Sequence, residues 1–560
     1  MPAPNRSLLF YIAIGLIQGL TVLGLIALRS QDMWLGLGLP LGLCIAVAVA
    51  GLNLQLLGRL RGQRGAGWLV LAVTLLVSAV GAKVFSDNNR MGFIQQSWCL
   101  AAVALVYIFA AFILAWPNRE GLRPRYQDLF KHAWNNVFIV LLALLLTGLF
   151  WLLVWLCSGL FQMVGITQVK DAVTSPTFLW LVLPVVFSLG MRMGRENEKV
   201  IGLLRGVLLT LCRFLLPLSA LIALVFTLTL PFTGLQPVWD TGYSTTLLLV
   251  LAGINLFLVN GVFQDGQQGQ VYGAPLKRLV EASLLCTPVL VGLAAYASWL
   301  RIDQYGLTPS RILAALLVTV MVLHALAAVW AVAASRRGWL HTLQVSNPRV
   351  ALLSAVLVVA YYTPLLDPYA LSAKNQVQRL LDGRTEVADF DASYLYWGLG
   401  EPGREVFTHL EAQLEGDELL DEAGREQLRK KIAQVHKPYE PEQHGPKIEW
   451  LGTPERGGEA FDQMVLTISQ CGGKGCLLWG VDMDGDGRNE VLMIPRHVYA
   501  SRMFLFAAEG GWHQVGTYWG DMQNTDEVVR LIKEGQLKPV TPKYKTLQLD
   551  SVDLNFNLER

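Results

Sequence analysis

Apolar residues run almost unbroken through eleven stretches of the chain: about 7–28, 34–57, 66–85, 94–116, 133–161, 176–194, 207–231, 244–263, 279–300, 311–335 and 350–366. A bilayer's hydrocarbon core is ~30 Å thick and a helix rises ~1.5 Å per residue, so ~20 apolar residues suffice to cross it. Each stretch therefore predicts a transmembrane helix, and the fifth is long enough to tilt. The first exceeds a signal peptide's apolar segment, lacks a small-x-small cleavage site and is followed by another span, so it reads as an uncleaved anchor. Past residue 370 the pattern changes. Asn375–Leu381, Glu405–Leu414 and Glu418–Val435 have helical periodicity with charged outer faces. A polar stretch at His436–Lys447, with Pro438, Pro441 and Pro446, predicts a hinge. Beyond it, Cys476–Val481, Glu490–Ile494, Arg502–Ala507 and Trp512–Trp519 alternate or run apolar between turn residues and predict strands, with a hairpin turn at Gly510-Gly511. Thr525–Glu534 predicts a helix and Thr546–Asn555 a last strand. The expected fold is an α-helical polytopic membrane protein (1–370), a soluble helical region and linker (371–445), and a small β-rich domain (446–560).

Composition agrees with that division. Of 560 residues 53% are hydrophobic and 16% charged, where a soluble domain carries about 25% charged residues. The net charge of +2 conceals a split. Residues 1–370 hold 24 Lys and Arg against 12 Asp and Glu, whereas residues 371–560 hold 21 against 31. An acidic soluble region argues against a nucleic-acid partner. Loops after even-numbered spans carry sixteen Lys and Arg and loops after odd-numbered spans six. The positive-inside rule then places the N-terminus in the cytoplasm. An odd number of spans sends the C-terminal domain to the opposite side, the periplasm of a Gram-negative host.

Polar side chains inside spans are costly and often mark pathways. His324, Asn255, Asn260 and Glu281 are the candidates for a transport path. The competing reading makes the histidine and asparagines helix–helix glue and lets Glu281, beside Lys277 and Arg278, snorkel to the interface. Cys44, Cys99, Cys157, Cys212 and Cys286 are scattered singly in or at the ends of spans, as small apolar filler would be.

Tyr296-Ala-Ser-Trp299-Leu-Arg301-Ile-Asp-Gln-Tyr305-Gly306-Leu-Thr308-Pro309-Ser-Arg311 combines an interfacial aromatic belt with a helix break at Gly306 and a cap at Thr308 and Pro309. A second stretch runs Thr363-Pro-Leu-Leu-Asp367-Pro-Tyr-Ala-Leu-Ser372-Ala-Lys-Asn375-Gln376-Val-Gln-Arg379-Leu-Leu-Asp-Gly383, followed by Asp389-Phe-Asp391, Tyr394-Leu-Tyr and Gly398-Leu-Gly400. Together they resemble the signature of an uncharacterised family of bacterial inner-membrane proteins, domain of unknown function 4153, over roughly residues 130–415. The resemblance implies a multi-pass inner-membrane protein and carries no catalytic residues with it.

One motif in the acidic region carries chemistry: Asp482-Met-Asp484-Gly-Asp486-Gly487-Arg488-Asn-Glu490. Closely spaced carboxylates repel one another unless a hard cation neutralises them. Asp482, Asp484, Asp486, the Arg488 carbonyl and Glu490 form an all-oxygen ligand set suited to a structural Ca²⁺. Position 12 is Met493, which excludes the helical Ca²⁺ loop with its bidentate Glu. With strands expected on both sides, the segment resembles the calcium loop of FG-GAP-type repeats, with Glu490 in place of the usual last Asp. A polar, merely acidic turn is the alternative. Just upstream, Cys471-Gly-Gly-Lys-Gly-Cys476 is spaced for a short disulfide loop if the domain lies in an oxidising compartment. No HExxH helix, nucleophile motif or dinucleotide fingerprint appears. The leading expectation is a non-enzymatic envelope protein that senses or assembles, in contact with membrane lipid and another envelope protein. A transporter or channel near His324 and Asn260 is the alternative. An enzyme acting on lipid-linked substrates comes third, with only scattered acids such as Asp240 to support it.

Overall fold

The computed structural model describes residues 4–30, 38–58, 64–86, 92–116, 124–240, 243–267, 271–334, 338–414, 421–436, 448–451, 476–487, 489–495, 502–507, 513–519, 525–534, 547–549 and 552–554. The chain divides into two compact units, Met1–Ile432 and Ala433–Arg560.

The first unit is helical: α1 (Pro4–Ser30), α2 (Gly38–Leu57), α3 (Arg64–Val84), α4 (Phe93–Leu114), α5 (Tyr126–Met163), α6 (Gln168–Thr174), α7 (Pro176–Glu196), α8 (Glu198–Thr233), α9 (Gln236–Asp240), α10 (Ser244–Phe263), α11 (Ala274–Tyr305), α12 (Pro309–Ala333), α13 (Leu343–Tyr361), α14 (Pro368–Leu381), α15 (Gly400–Leu414) and α16 (Glu422–His436). Among the described residues eleven of these are long and apolar enough to cross a membrane: α1–α5, α7, α8 and α10–α13. Each matches one apolar run. The helices outlast the runs where polar turns continue them. Thus α8 begins at Glu198, ahead of its apolar stretch, and has 36 residues, while α5 has 38. At ~1.5 Å per residue both exceed the ~30 Å hydrocarbon thickness.

Helix ends follow local chemistry. Ser175 Oγ accepts from the Phe178 N–H with Pro176 opening α7. Thr308 Oγ1 accepts from the Arg311 N–H with Pro309 opening α12. Asp367 accepts from the Tyr369 and Ala370 N–H groups at the start of α14. Packing pairs α1 with α7, α2 with α3 and α5 with α7, and groups α8, α10 and α11. Lipid is as apolar as leucine, so polar ties matter disproportionately between such helices. Fully buried Gln55 donates to Ser188 Oγ at 3.0 Å. Ser188 donates to the Tyr11 carbonyl at 2.6 Å, and the Tyr11 hydroxyl donates to the Gln55 carbonyl at 2.9 Å. That ring of bonds ties α1, α2 and α7 together.

The second unit holds β1 (Ile448–Leu451), β2 (Cys476–Val481), β3 (Glu490–Pro495), β4 (Arg502–Ala507), β5 (His513–Trp519), α17 (Thr525–Lys533), β6 (Leu547–Leu549) and β7 (Val552–Leu554). β1 to β5 form one sheet in that order. β1 runs parallel to β2, and the remaining neighbours are antiparallel. Leu451, Leu477, Leu492 and Ile494 form the core, with Val529 and Ile532 of α17 packed on it. Two features differ from the sequence reading. β1 has four residues, too few to show a period. The expected last strand is instead two strands, β6 and β7, paired antiparallel, on either side of the turn-favouring pair Asp550-Ser551. Gly510-Gly511 lies outside the described residues, between strands β4 and β5, which pair out to Ala507 and His513.

Candidate functional site

The acidic motif joins two paired strands. In the β2–β3 register Val481 faces Glu490, so the first and last acids of the loop meet at its base. Carboxylate oxygens of Asp482, Asp484 and Glu490 all lie within 4.8 Å of one another. Backbone donors aim them: Gly485 N–H to Asp482 Oδ1 at 2.6 Å, Gly487 N–H to Asp482 Oδ2 at 3.0 Å, Asp486 N–H to Asp484 Oδ1 at 3.0 Å and Met483 N–H to Glu490 Oε2 at 2.7 Å. Gly487 sits at φ +83°, a conformation that suits glycine. The longer Glu490 side chain thus reaches the other two acids. Asp486 lies outside the converging trio, and Arg488 is outside the described residues. Three convergent carboxylates with no ion pair among the described residues suit a hard, oxygen-seeking cation. Cys476, at the start of β2, is buried and disulfide-bonded. Cys471 lies outside the described residues, and the five cysteines of the membrane half are free.

The four membrane residues proposed for a path separate into two kinds. Asn255 is fully buried and satisfied. It donates to Ser283 Oγ at 3.1 Å and accepts from Ser219 Oγ at 3.4 Å, joining α8, α10 and α11. Glu281 pairs with Lys277 one turn away at 3.9 Å. Asn260 and His324, by contrast, line one cavity of roughly 240 Å³ between α4, α5, α10, α12 and α13. Asn347 completes its polar wall, donating to Asn260 Oδ1 at 2.7 Å and to the Tyr126 hydroxyl at 3.1 Å. Tyr107, Phe112, Phe130 and Trp134 supply aromatic walls. Asn347 and Tyr126 escaped the sequence reading because both precede the apolar runs of their helices.

The two long motifs of the membrane half meet each other. Arg379, 6% exposed, donates to the carbonyls of Asp303 at 2.7 Å and Gln304 at 2.9 Å, in the last turn of α11. Gln376 donates to the Leu307 carbonyl at 2.9 Å, and Asn375 Oδ1 accepts from the Leu307 N–H at 2.7 Å. Arg311 donates to the Gly306 carbonyl at 2.8 Å and lies 5.3 Å from the centre of the Tyr305 ring. At Gly306 φ is +75°, and an added Cβ would come within 2.7 Å of Arg379 Cδ and 2.8 Å of Gln376 Nε2. The positive side chains face the carbonyl end of the α11 dipole, where cations are favoured. This is a clasp that ends one helix and starts the next. Nearby, burial pushes the Tyr394 hydroxyl above its ordinary pKa, with the Arg311 charge opposing.

A family model described as a domain of unknown function (DUF4153) matches residues 41–409, which takes in both motifs of the clasp. No curated protein and no solved structure matches the chain.

Proposed function

The chain belongs to the DUF4153 family, and from that premise we propose that it is a non-enzymatic protein of the bacterial inner membrane with a calcium-stapled domain in the periplasm. The observation that carries the reading is the convergence of Asp482, Asp484 and Glu490 within 4.8 Å. Their backbone hydrogen bonds set the oxygens in place before any ion arrives, which suits a structural staple like the FG-GAP calcium loop. The odd number of spans and the excess of Lys and Arg on even loops support the periplasmic side. An oxidising compartment also suits a Cys471–Cys476 disulfide. In this reading the domain senses or docks another envelope protein, and the membrane half anchors it among lipid.

The test is thermal unfolding of the full-length protein in detergent with 5 mM Ca²⁺ against chelator. Extracellular calcium modules bind at about 10⁻⁴–10⁻³ M. Binding at that strength stabilises by about 1–2 kcal/mol through mass action. For a domain of this size that raises the melting transition by roughly 5–10 °C, and Asp484→Asn should abolish the rise. Equal transitions with and without Ca²⁺ would remove the metal from the reading. Alkaline phosphatase or green fluorescent protein fused after Arg560 tests the side independently, with phosphatase activity expected.

A second reading, a transport path, is favoured by the cavity that Asn260 and His324 share with Asn347 and Tyr126. His324→Ala and Asn347→Ala should then alter solute movement in proteoliposomes while the calcium response stays intact.

A further inference from the structure

We propose that a pocket between α5, α7 and α8 binds the head group of an anionic phosphoglycerol lipid. It is separate from the larger cavity and is lined by Lys131, His132, Asn135, Asn136, Arg195 and Glu198, among others. Of these, Asn136 is buried, 4% exposed. Both the Nδ2 and the Oδ1 of Asn136 are buried with no hydrogen-bond partner. The surrounding helices shield the amide, so it calls for a partner that enters the pocket.

Three features define that partner. The first is charge. Lys131 is exposed and forms no ion pair among the described residues, and Arg195 lines the same pocket. Arg205 stands behind the wall, donating to Asn135 Oδ1 at 3.0 Å. Against these stand Glu198 on the rim and Asp128, both within electrostatic reach of His132 together with Arg195 and Lys131. Glu196 is already paired with Arg192 at 2.8 Å. The balance is positive and favours an anion. The second is size. A cavity of about 30 Å³ has no room for a whole sugar or nucleotide, so a ligand reaches in with a few atoms while its bulk stays at the mouth. The third is the orphan amide itself, which needs an acceptor at Nδ2 and a donor at Oδ1. A phosphodiester supplies the acceptor and a head-group hydroxyl the donor, so a phosphoglycerol matches both. An ethanolamine head group would instead bring a third cation to Lys131 and Arg195.

Position agrees with this chemistry. The pocket opens where α5 enters its apolar run, α7 ends and α8 begins. That is an even-loop face, dense in Lys and Arg, and basic pockets between helices on such a face suit anionic head groups.

The full-length protein, stripped of lipid in detergent, is titrated with phosphatidylglycerol or phosphatidylethanolamine of identical chains and followed by native mass spectrometry. Retention of phosphatidylglycerol at least fivefold above phosphatidylethanolamine is expected. Lys131→Ala, at an exposed position, should weaken it about fivefold, and Asn136→Leu about tenfold. Asn136→Asp keeps the shape and adds a negative charge, so it should abolish the preference in protein that still elutes as a single species. Equal retention of the two lipids, or a phosphatidylglycerol preference untouched by both Lys131→Ala and Asn136→Asp, overturns the proposal. Competition by millimolar inorganic phosphate as effective as that of the lipid also overturns it, since the site would then belong to free anions.

Discussion

The clasp around Gly306 and the pocket around Asn136 are polar clusters at helix ends of the membrane bundle, each with one buried polar side chain, Arg379 or Asn136, yet they use hydrogen bonding in opposite ways. At the clasp, Asn375, Gln376 and Arg379 are directed at backbone groups that a helix end leaves open. Arg379 carries a buried charge with no carboxylate beside it among the described residues; the carbonyl end of α11 supplies the compensating potential. Only its Nε lacks a partner. At the pocket, Asn136 has neither donor nor acceptor satisfied. Buried polar groups in native proteins are bonded. The satisfied cluster is therefore explained by the fold alone, whereas the unsatisfied one points outside the protein. The contrast extends to the membrane residues that the sequence singles out: Asn255 behaves like the clasp, and Asn260 and His324 border open space.

The comparison breaks most readily at Arg379. Truncation to Ala removes two charge-assisted hydrogen bonds to the last carbonyls of α11. The expected loss is about 3 kcal/mol, read as a fall of several degrees in the melting transition of the purified protein. Arg379→Lys should recover less than half, because an ammonium cannot reproduce the guanidinium fork that reaches Asp303 and Gln304 together. If both variants melt with the parent protein, the clasp does not hold α11 to α14.

A smaller effect is expected at Gly306→Ala. Its backbone conformation belongs to glycine, and the new methyl would press on Arg379 and Gln376. The expected cost is about 2 kcal/mol, partly shared with Arg379. The double variant should therefore lose less than the sum of the two single losses. Strict additivity would show that Gly306 and Arg379 act on separate parts of the structure.

These residues also show how far the chain could be read in advance. The eleven apolar runs needed only length and composition, and Gly306, Thr308 and Pro309 announced the break between α11 and α12 by their local chemistry. That Asn375 and Arg379 close on that break could not be read, because the contact spans 68 residues in one case and 76 in the other. Periodicity says nothing about which loop a helix will face. The acidic spacing of 482–490 was legible as a candidate cation loop. The part played by Glu490 waited on the register that sets it opposite Val481. Asn136 stood in plain view as a polar residue in an apolar run. Its lack of a partner is a property of the neighbouring helices, and no local pattern encodes it.

The smallest and most diagnostic effect is the stability of Asn136→Leu in lipid-free micelles. Leucine has the branching and heavy-atom count of asparagine and removes two polar atoms that have no partner in the protein. Replacing such a group with an apolar one of similar shape is near neutral or stabilising. The expected change in stability lies within about 1 kcal/mol of zero and leans toward greater stability. Arg379→Ala should be clearly destabilised in the same assay. Adding phosphatidylglycerol at a concentration between the two affinities should then raise the melting transition of the parent and leave that of Asn136→Leu nearly unmoved, so that the two curves cross. A loss on stripping lipid as large as that of Arg379→Ala would mean that Asn136 is bonded within the protein after all. The division between satisfied and unsatisfied clusters would then no longer separate what holds the bundle together from what the bundle binds.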